Sequence, residues 1–234
     1  MNGNLQKTYI EIRPAAGGNE AKIWATELMR MYMRFANKKG WKASPIDEGT
    51  LLLSGKSTFD LLKNEAGVHR VQRIPVTEKR GRIHTSTATV AILPEIKDSE
   101  IRINPNDLDW QFFRASTQGG QNVQKVSTAV RLIHKPTGIV VTSEQERHQE
   151  QNRKIAQDLL RTKLWERQEE EKMKTMADYR SPIGRGMRAE KTRTYNYPQN
   201  RVTDHKIKKS WGNLDAIIDG DLDKIVNKLK ENHG

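Results

Sequence analysis

Hydrophobic and polar positions along the chain switch between two periods, and the switches predict the elements. Ile10 and Ile12 alternate with Glu11 and Arg13, the two-residue period of a strand that buries one face. Gly17-Gly18 then leads into Asn19, which the sequence offers as a helix N-cap, with Glu20 in the positive first turn. Trp24, Leu28, Met31, Tyr32 and Phe35 recur at helical spacing, and Gly40 supplies a stop. Leu51 to Leu53 read as a short buried strand. Val68 to Ile74 and Thr85 to Leu93 read as two more, and the polar loop between them, Pro75 to His84, predicts a hairpin with an exposed tip.

Beyond Pro94 the pattern changes. Ile101, Ile103, Leu108, Trp110 and Phe112 predict short strands, and a glycine-containing loop follows around Gly119. Val130 to Ile133 and Ile139 to Val141 flank Lys135-Pro136-Thr137-Gly138, a strong turn signal. From Glu144 to Asp178 nothing breaks a helix, and Ile155, Leu159, Leu160 and Leu164 form its apolar stripe. Ser181-Pro182, Gly184 and Gly186 mark a linker. Leu214 to Leu229 is an amphipathic helical stretch that Gly220 bends or splits. The pattern predicts a mixed α+β chain of three units, with boundaries near Asn104 and Ser181.

Composition narrows the chemistry. The 234 residues include no cysteine, which removes disulfide scaffolds, thiol nucleophiles and Cys-ligated metal centres. No apolar run approaches the roughly 18 residues of a membrane span, and Met1 to Ile12 has neither a signal-peptide core nor a transit-peptide pattern. With 41 Lys+Arg against 29 Asp+Glu, the net charge of +12 favours a polyanionic partner. The charge is clustered. Lys63 to His84 carries six Lys/Arg against two acids, Arg114 to Lys135 four against none, and Arg180 to Ser210 nine against two. Trp211 to Gly234 reverses the sign, with five acids against three lysines. One such cluster is ordinarily a solvated face. Three around Gly- and Pro-containing loops suggest several contacts along one long nucleic acid.

Local motifs exclude more than they assign. Gly55-Lys56-Ser57 resembles the end of a phosphate-binding loop, but position 50, where that loop needs glycine, is Thr, so a strand-end turn is expected. His69, His84, His134, His148, His205 and His233 form no helical His pair, and there is no G-x-S-x-G elbow, so neither a metal site nor a serine nucleophile is expected. Gly119-Gly120-Gln121 stands apart because it lies in a basic, acid-free segment. Adjacent glycines let backbone approach a ligand closely. The amide that follows can offer its N–H to a developing oxyanion while its side chain orients water. A glutamine cannot serve as a general base, so its partners must supply the rest. By itself such a tripeptide ordinarily means a flexible turn.

The surroundings of that tripeptide change its meaning. Arg114-Ala115-Ser116-Thr117-Gln118-Gly119-Gly120-Gln121-Asn122-Val123-Gln124-Lys125 resembles the Gly-Gly-Gln loop of bacterial class I peptide chain release factors. Pro136-Thr137-Gly138-Ile139, Glu146-Arg147 and the run from Arg193 to His205 extend the resemblance. So do Gly67 to Glu78 and Gly81 to Ser86. Pro75-Val76-Thr77 is similar to the tripeptide of the type that reads UAA and UAG, and unlike the Ser-Pro-Phe of its sister type.

The resemblance implies a multidomain α+β fold. Residues 1–104 would form a codon-recognition domain, 105–180 a small α+β domain carrying the Gly-Gly-Gln loop, and 181–234 a switch linker with a C-terminal segment packed on the first domain. It implies that Gly17 and Glu20, at a helix start, read the first base, U. Pro75, Val76 and Thr77 would contact the first two bases. His84 would stack beside the second base, and Gln72 with Thr85 would accept either purine at the third. In the large subunit, the backbone N–H of Gln121, beside Gly119 and Gly120, would stabilise the transition state of peptidyl-tRNA ester hydrolysis. The Gln121 side chain would admit water and exclude bulkier nucleophiles. The implied partners are both ribosomal subunits with their rRNA, the mRNA stop codon, peptidyl-tRNA and a methyltransferase that makes N5-methylglutamine at Gln121. No cofactor, metal or membrane is implied, and the place of action is cytoplasm or an organelle matrix. The chain would act as a ribosome-dependent factor rather than a free-standing enzyme.

Several features depart from the family pattern. The family pattern has a helical domain ahead of Ile10, on which partnership with a recycling GTPase would depend, and this chain is expected to lack it. Pro45 to Ser54 is short, Asn122 stands where His is common, and Thr117-Gln118 replace smaller residues. Two other functions share parts of the pattern. A codon-independent rescue hydrolase would lack the Pro-Val-Thr hairpin and end in a basic tail. A non-hydrolytic RNA-binding protein would have lost the Gly-Gly-Gln residues.

Overall fold

One aromatic helix face supplies the surface around which the first sheet closes. In the computed structural model the described residues are 5–75, 78, 80–96, 101–114 and 126–233. They fall into two units, residues 1–96 with 175–234 and residues 97–174. In chain order the elements are β1 (Leu5–Pro14), α1 (Asn19–Lys38), β2 (Lys42–Pro45), β3 (Thr50–Lys56), α2 (Thr58–Leu62), β4 (Gly67–Arg73) and β5 (His84–Pro94). Then come β6 (Leu108–Phe113), β7 (Ala129–His134), β8 (Ile139–Ser143) and α3 (Gln149–Arg180). Last are β9 (Lys191–Asn196), β10 (Arg201–Asp204), β11 (Lys209–Gly212), α4 (Leu214–Ile218) and α5 (Asp223–His233).

The first unit is an eight-stranded sheet in the order β11-β10-β9-β4-β5-β1-β3-β2. Its neighbours are antiparallel except for β4 and β9, which run parallel. Helix α1 lays Trp24, Leu28, Met31, Tyr32 and Phe35, all buried, over Ile10, Ile12, Leu51, Leu53, Val71 and Val90. Each such side chain contributes about 1.5–3 kcal/mol by leaving water. The helix ends as Gly40 predicts. With φ at +68°, Gly40 donates its N–H to Asn37 O, Trp41 donates to Ala36 O, and the Trp41 ring packs edge-on against Phe35.

Its start differs from expectation. Gly18, not Asn19, occupies the cap position, and no side chain caps the helix. The preceding loop is already fixed to β5, because Ala15 N–H bonds Thr87 O and Thr87 N–H bonds Ala16 O. The chain must therefore turn early, through the positive φ angles of Gly17 and Gly18. Gly55 lies within β3, and a Cβ there would sit 2.2 Å from the Trp41 ring. The glycine admits an indole, which accounts for it without any phosphate. Gly220, at φ +89°, splits the last helical stretch into α4 and α5 where it meets the backbone of Phe35.

The 191–212 segment holds three strands that hydropathy does not mark. The inward residues of β9 are Arg193 and Tyr195, both fully buried. Arg193 forks onto Glu65 with bonds of 2.6 and 2.7 Å and reaches Asp204 at 3.2 Å. Tyr32 donates to Glu65 at 3.0 Å, and His69 bridges Tyr195 OH and the Glu65 carbonyl. Burial by itself would raise the Glu65 carboxyl, but the Arg193 charge outweighs it and holds the group below the usual carboxylate range. Burial first, and Arg193 next, push the His69 imidazole down to about 4.

The second unit is a three-stranded antiparallel sheet, β6-β7-β8, with α3 on one face. Val130, Leu132, Val141, Ala156 and Leu160 form its core. No strand forms at Ile101 or Ile103. Asn104 caps a short 3-10 turn at Pro105–Asp107 through a bond from Asn106 N–H, and this delays the strand to Leu108.

The buried histidine makes stability depend on pH. As pH falls below 6.5 the unfolded chain takes up a proton at His69, while the folded chain refuses it until about 4. Stability should therefore be lost across that window as pH falls, by on the order of 3 kcal/mol from this group. Urea unfolding of the wild type and His69→Gln at several pH values checks this. The variant should show the shallower pH dependence, whatever its absolute stability.

Candidate codon-reading surface

Five of the residues marked in the sequence converge where β4 and β5 leave the sheet. Gln72 stands opposite Thr85, and Arg73 opposite His84. Gly17 presses on Ser86, the next residue of β5, so closely that a Cβ on Gly17 would lie 2.3 Å from the Ser86 hydroxyl. Glu20, in the first turn of α1, is buried and accepts from Arg73 Nε at 2.7 Å. Thus Gly17, Glu20, Gln72, His84 and Thr85 share one end of the sheet.

One carboxylate oxygen of Glu20 is held by Arg73, and the other, Oε2, is buried without a hydrogen-bond partner among the described residues. Arg73 also bonds Glu27 at 2.6 Å, and its guanidinium lies 5.2 Å from the Tyr197 ring centre. Burial pulls the Arg73 pKa down, but Glu27 and Glu20 together hold it above its ordinary value, so the charge is permanent. No side chain caps the start of α1, so its first backbone N–H groups have no capping partner.

The hairpin is organised by a residue the sequence reading did not single out. Glu78 accepts from His84 Nε2 at 2.6 Å, Arg82 Nη2 at 3.3 Å and the Arg80 N–H at 2.7 Å. Its own N–H bonds Pro75 O at 3.0 Å. Val76 and Thr77 lie outside the described residues, so the structure locates Pro75 but not the rest of the tripeptide.

Thr87 joins this surface to the linker. Its hydroxyl accepts from Ala16 N–H at 2.9 Å and donates to Gly186 O at 2.9 Å. Gly184 and Gly186 both have positive φ, and both are closely packed, Gly184 against the Glu190 carboxylate and Gly186 against Ala15. Their lack of a side chain serves close approach at these two points.

Gly119, Gly120 and Gln121 lie outside the described residues. The frame on either side is described. Asn152 is buried and donates to Thr128 O and Glu146 O, both at 2.9 Å, while its Oδ1 accepts from Ser143 Oγ and Glu146 N–H at 3.0 Å. It pins the chain just before β7. On the other side Arg153 lies over the rings of Trp110 and Phe112.

The sequence reading missed Glu27, Tyr197 and Asn196, whose partners in this surface are 46 to 124 residues away. No local signal could have marked them. Glu78 could have been found, since a carboxylate six residues before His84 in one hairpin is within reach.

The tight Gly17 contact can be tested. Gly17→Ala brings a Cβ against Ser86 Cβ and Cα as well as its hydroxyl, at a φ of +136°. We expect a loss of about 1–3 kcal/mol. Gly18→Ala meets open space, so it should feel only the backbone strain of φ 62° with ψ −129°, about 1–2 kcal/mol, without the added clash. Thermal unfolding of the two variants should rank them in that order.

Comparison with known proteins adds identity to this geometry. Residues 3–90 match the PCRF domain family and residues 96–206 the RF-1 domain family. Peptide chain release factor 1 of Thermotoga maritima is 51% identical over 96% of this chain and 69% of its own length. The same-named proteins of Anaeromyxobacter dehalogenans and Mycoplasma pneumoniae are 46% and 48% identical over 94% and 97% of the chain, and 63% and 66% of their own lengths. Among solved structures, RF2 of Thermus thermophilus superposes with a TM-score of 0.55 at 34% identity, covering 99% of this chain and 69% of that one. The chain thus spans about two thirds of the length of its curated relatives. On matches this close across nearly all of its length, the chain belongs to the peptide chain release factor 1 family.

Proposed function

We propose that this chain terminates translation by reading UAA and UAG in the ribosomal A site and prompting hydrolysis of the peptidyl-tRNA ester. The observation that carries the reading is the convergence of Gly17, Glu20, Gln72, His84 and Thr85 on one sheet end, beside the Pro75 hairpin. Single-stranded bases are read by stacking and by hydrogen bonds to their edges, and this surface offers both. The uncapped start of α1 presents N–H donors to the first base. His84, steadied by Glu78, supplies a ring for stacking at the second. Gln72 and Thr85, side by side, face the third. Pro75, Val76 and Thr77 complete the contact to the first two bases.

Hydrolysis falls to Gly119-Gly120-Gln121. Water adds to the ester carbonyl, negative charge gathers on the carbonyl oxygen, and the bond to the tRNA 3′ oxygen breaks. The Gln121 N–H, brought close by two residues without Cβ, stabilises that charge. The Gln121 side chain orients water and is the site a methyltransferase modifies to N5-methylglutamine. The segment 181–191, bonded to the codon-reading surface through Thr87, couples recognition to placement of the Gly-Gly-Gln loop.

Peptide release from ribosomes programmed with UAA, UAG, UGA or a sense codon tests the whole reading. Release at UAA and UAG alone is expected; equal release at every codon would favour codon-independent rescue instead. Gln121→Pro removes the N–H and should lower release by roughly 10²–10³-fold. Gln121→Ala keeps the N–H and should fall much less, with ribosome binding intact in both. Substitutions of Pro75 or Thr77 should alter codon choice.

A further inference from the structure

Three arginines stand on the adjacent strands β4 and β9, and they differ in what their guanidinium groups find. Arg193 and Arg73 are each held by two carboxylates, Arg193 by Glu65 and Asp204 and Arg73 by Glu20 and Glu27. Arg70 has none. Its Nε donates to Thr194 Oγ1 at 3.2 Å, and its two terminal nitrogens have no partner among the described residues.

The strands build a site around that free fork. Val71 packs beneath α1, so Arg70, one residue before it on β4, projects from the opposite face of the sheet. Thr194 stands beside Arg70 in the β4–β9 register and is itself buried, at 5% exposure. The Thr194 hydroxyl also bonds His205 Nε2 at 2.8 Å, while the His205 N–H bonds Thr192 O at 2.8 Å. Two points on β9 thus hold the imidazole. Lys191, the first residue of β9, adds a second cation with no ion pair among the described residues.

The charge here is uncompensated. Burial pulls the Arg70 pKa down, and no acid offsets it. Burial first, and then the charges of Lys191 and Arg70, hold the His205 imidazole below its ordinary value against a smaller pull from Asp204. The two acids of the 180–210 segment are engaged elsewhere. Glu190 accepts from the N–H groups of Arg185 and Met187. Asp204 faces Arg193 and the N–H groups of Lys206 and Ile207. A guanidinium tethered by Nε, with both terminal nitrogens free, is set to bond two oxygens of one phosphate group.

We propose that Arg70, with Thr194, His205 and Lys191 around it, binds a phosphodiester of a ribosomal RNA strand. The inference rests on the ribosomal function proposed above and adds to it a contact that reads no codon. Arg70 lies two residues inward from Gln72, and Lys191 lies further back beside Val68, so the site extends away from the codon-reading end. That direction favours the RNA of the ribosome over the message. A phosphate contact positions the protein and carries no sequence information, so its loss should weigh equally at every codon.

Arg70→Gln removes both the fork and the charge. Affinity of the wild type and this variant for UAA-programmed ribosomes, measured across a KCl series, reads the contact. The slope of log affinity against log salt should become shallower by roughly 1, the share of one phosphate. Affinity at low salt should fall roughly ten-fold or more, by the same factor on UAA and UAG ribosomes. An unchanged slope in folded Arg70→Gln would overturn the proposal even if affinity fell, because a purely structural loss leaves the slope alone. Lys191→Gln, which breaks no hydrogen bond among the described residues, should also flatten the slope. An unchanged slope there would overturn the proposal if Arg70→Gln is too unstable to assay. The chain has no cysteine, so Lys191→Cys places a single thiol at the site for a tethered photo-crosslinker. Capture of ribosomal RNA is expected, and capture of the message or of a ribosomal protein instead would overturn the proposal. Failure of the wild type to distinguish stop from sense codons would sink the codon-reading function and leave these readouts standing.

Discussion

The buried fork of Arg193 onto Glu65 is the contact on which the first unit depends. Two charged side chains, both fully removed from water, are worth their desolvation only when every polar atom finds a partner. Here the guanidinium takes both Glu65 oxygens and Asp204. The second Asp204 oxygen accepts from Lys206 and Ile207 N–H, and Tyr32 completes Glu65. Removing one member would strand a charge, at about 3–5 kcal/mol. Such a network tolerates a single register. It therefore sets where β9 lies against β4, with Arg193 beside His69.

That register has consequences three residues further on. Once Arg193 is fixed beside His69, Asn196 must fall beside Gln72, and Tyr197 beyond it meets Arg73. Arg73 then holds Glu20 and Glu27, which places the start of α1 against the end of β4. On its other flank β5 presents Thr85 to Gln72 and, through Ser86 and Thr87, clamps the loop ahead of α1. The surface is assembled from segments spread from Gly17 to Asn196, and a buried ion network keeps them in step.

How much of this the sequence discloses follows from the same physics. Helix α3 shows as an unbroken helix, but it buries Asn152, Ala156 and Leu160 and leaves Leu159 of the expected stripe exposed. Helix α1 shows plainly because its buried face is apolar and periodic, and the β4–β5 hairpin because a polar loop joins two β runs. The strands β9 to β11 do not, because β9 turns Arg193 and Tyr195 inward, and hydropathy assigns an arginine to solvent. The Asn19 cap is misread since Gly17 and Gly18, held by β5, settle the turn before any cap is needed. The site shows a similar division. Individual residues such as Gln72, His84 and Thr85 can be marked from family motifs, whereas their supports cannot. Glu27, Tyr197 and Asn196 act through partners that only the folded sheet brings near.

The third-base reader proposed here is a neutral amide, and that distinguishes it from a charged one. A carboxylate or guanidinium presents one kind of partner in every rotation, whereas a glutamine presents a donor or an acceptor according to a half-turn of its end group. A glutamine free to turn satisfies either purine edge, as the proposed acceptance of A or G by Gln72 requires. The Gln199 N–H is held in a turn in which Asn200 N–H also bonds Tyr197 O, and that turn is a direct continuation of β9. Asn196 continues the hydrogen bonds of that turn across the sheet, accepting from Gln199 N–H and donating to Gln72 Oε1. A strand anchored by buried charges holds the neighbours of Gln72 in register.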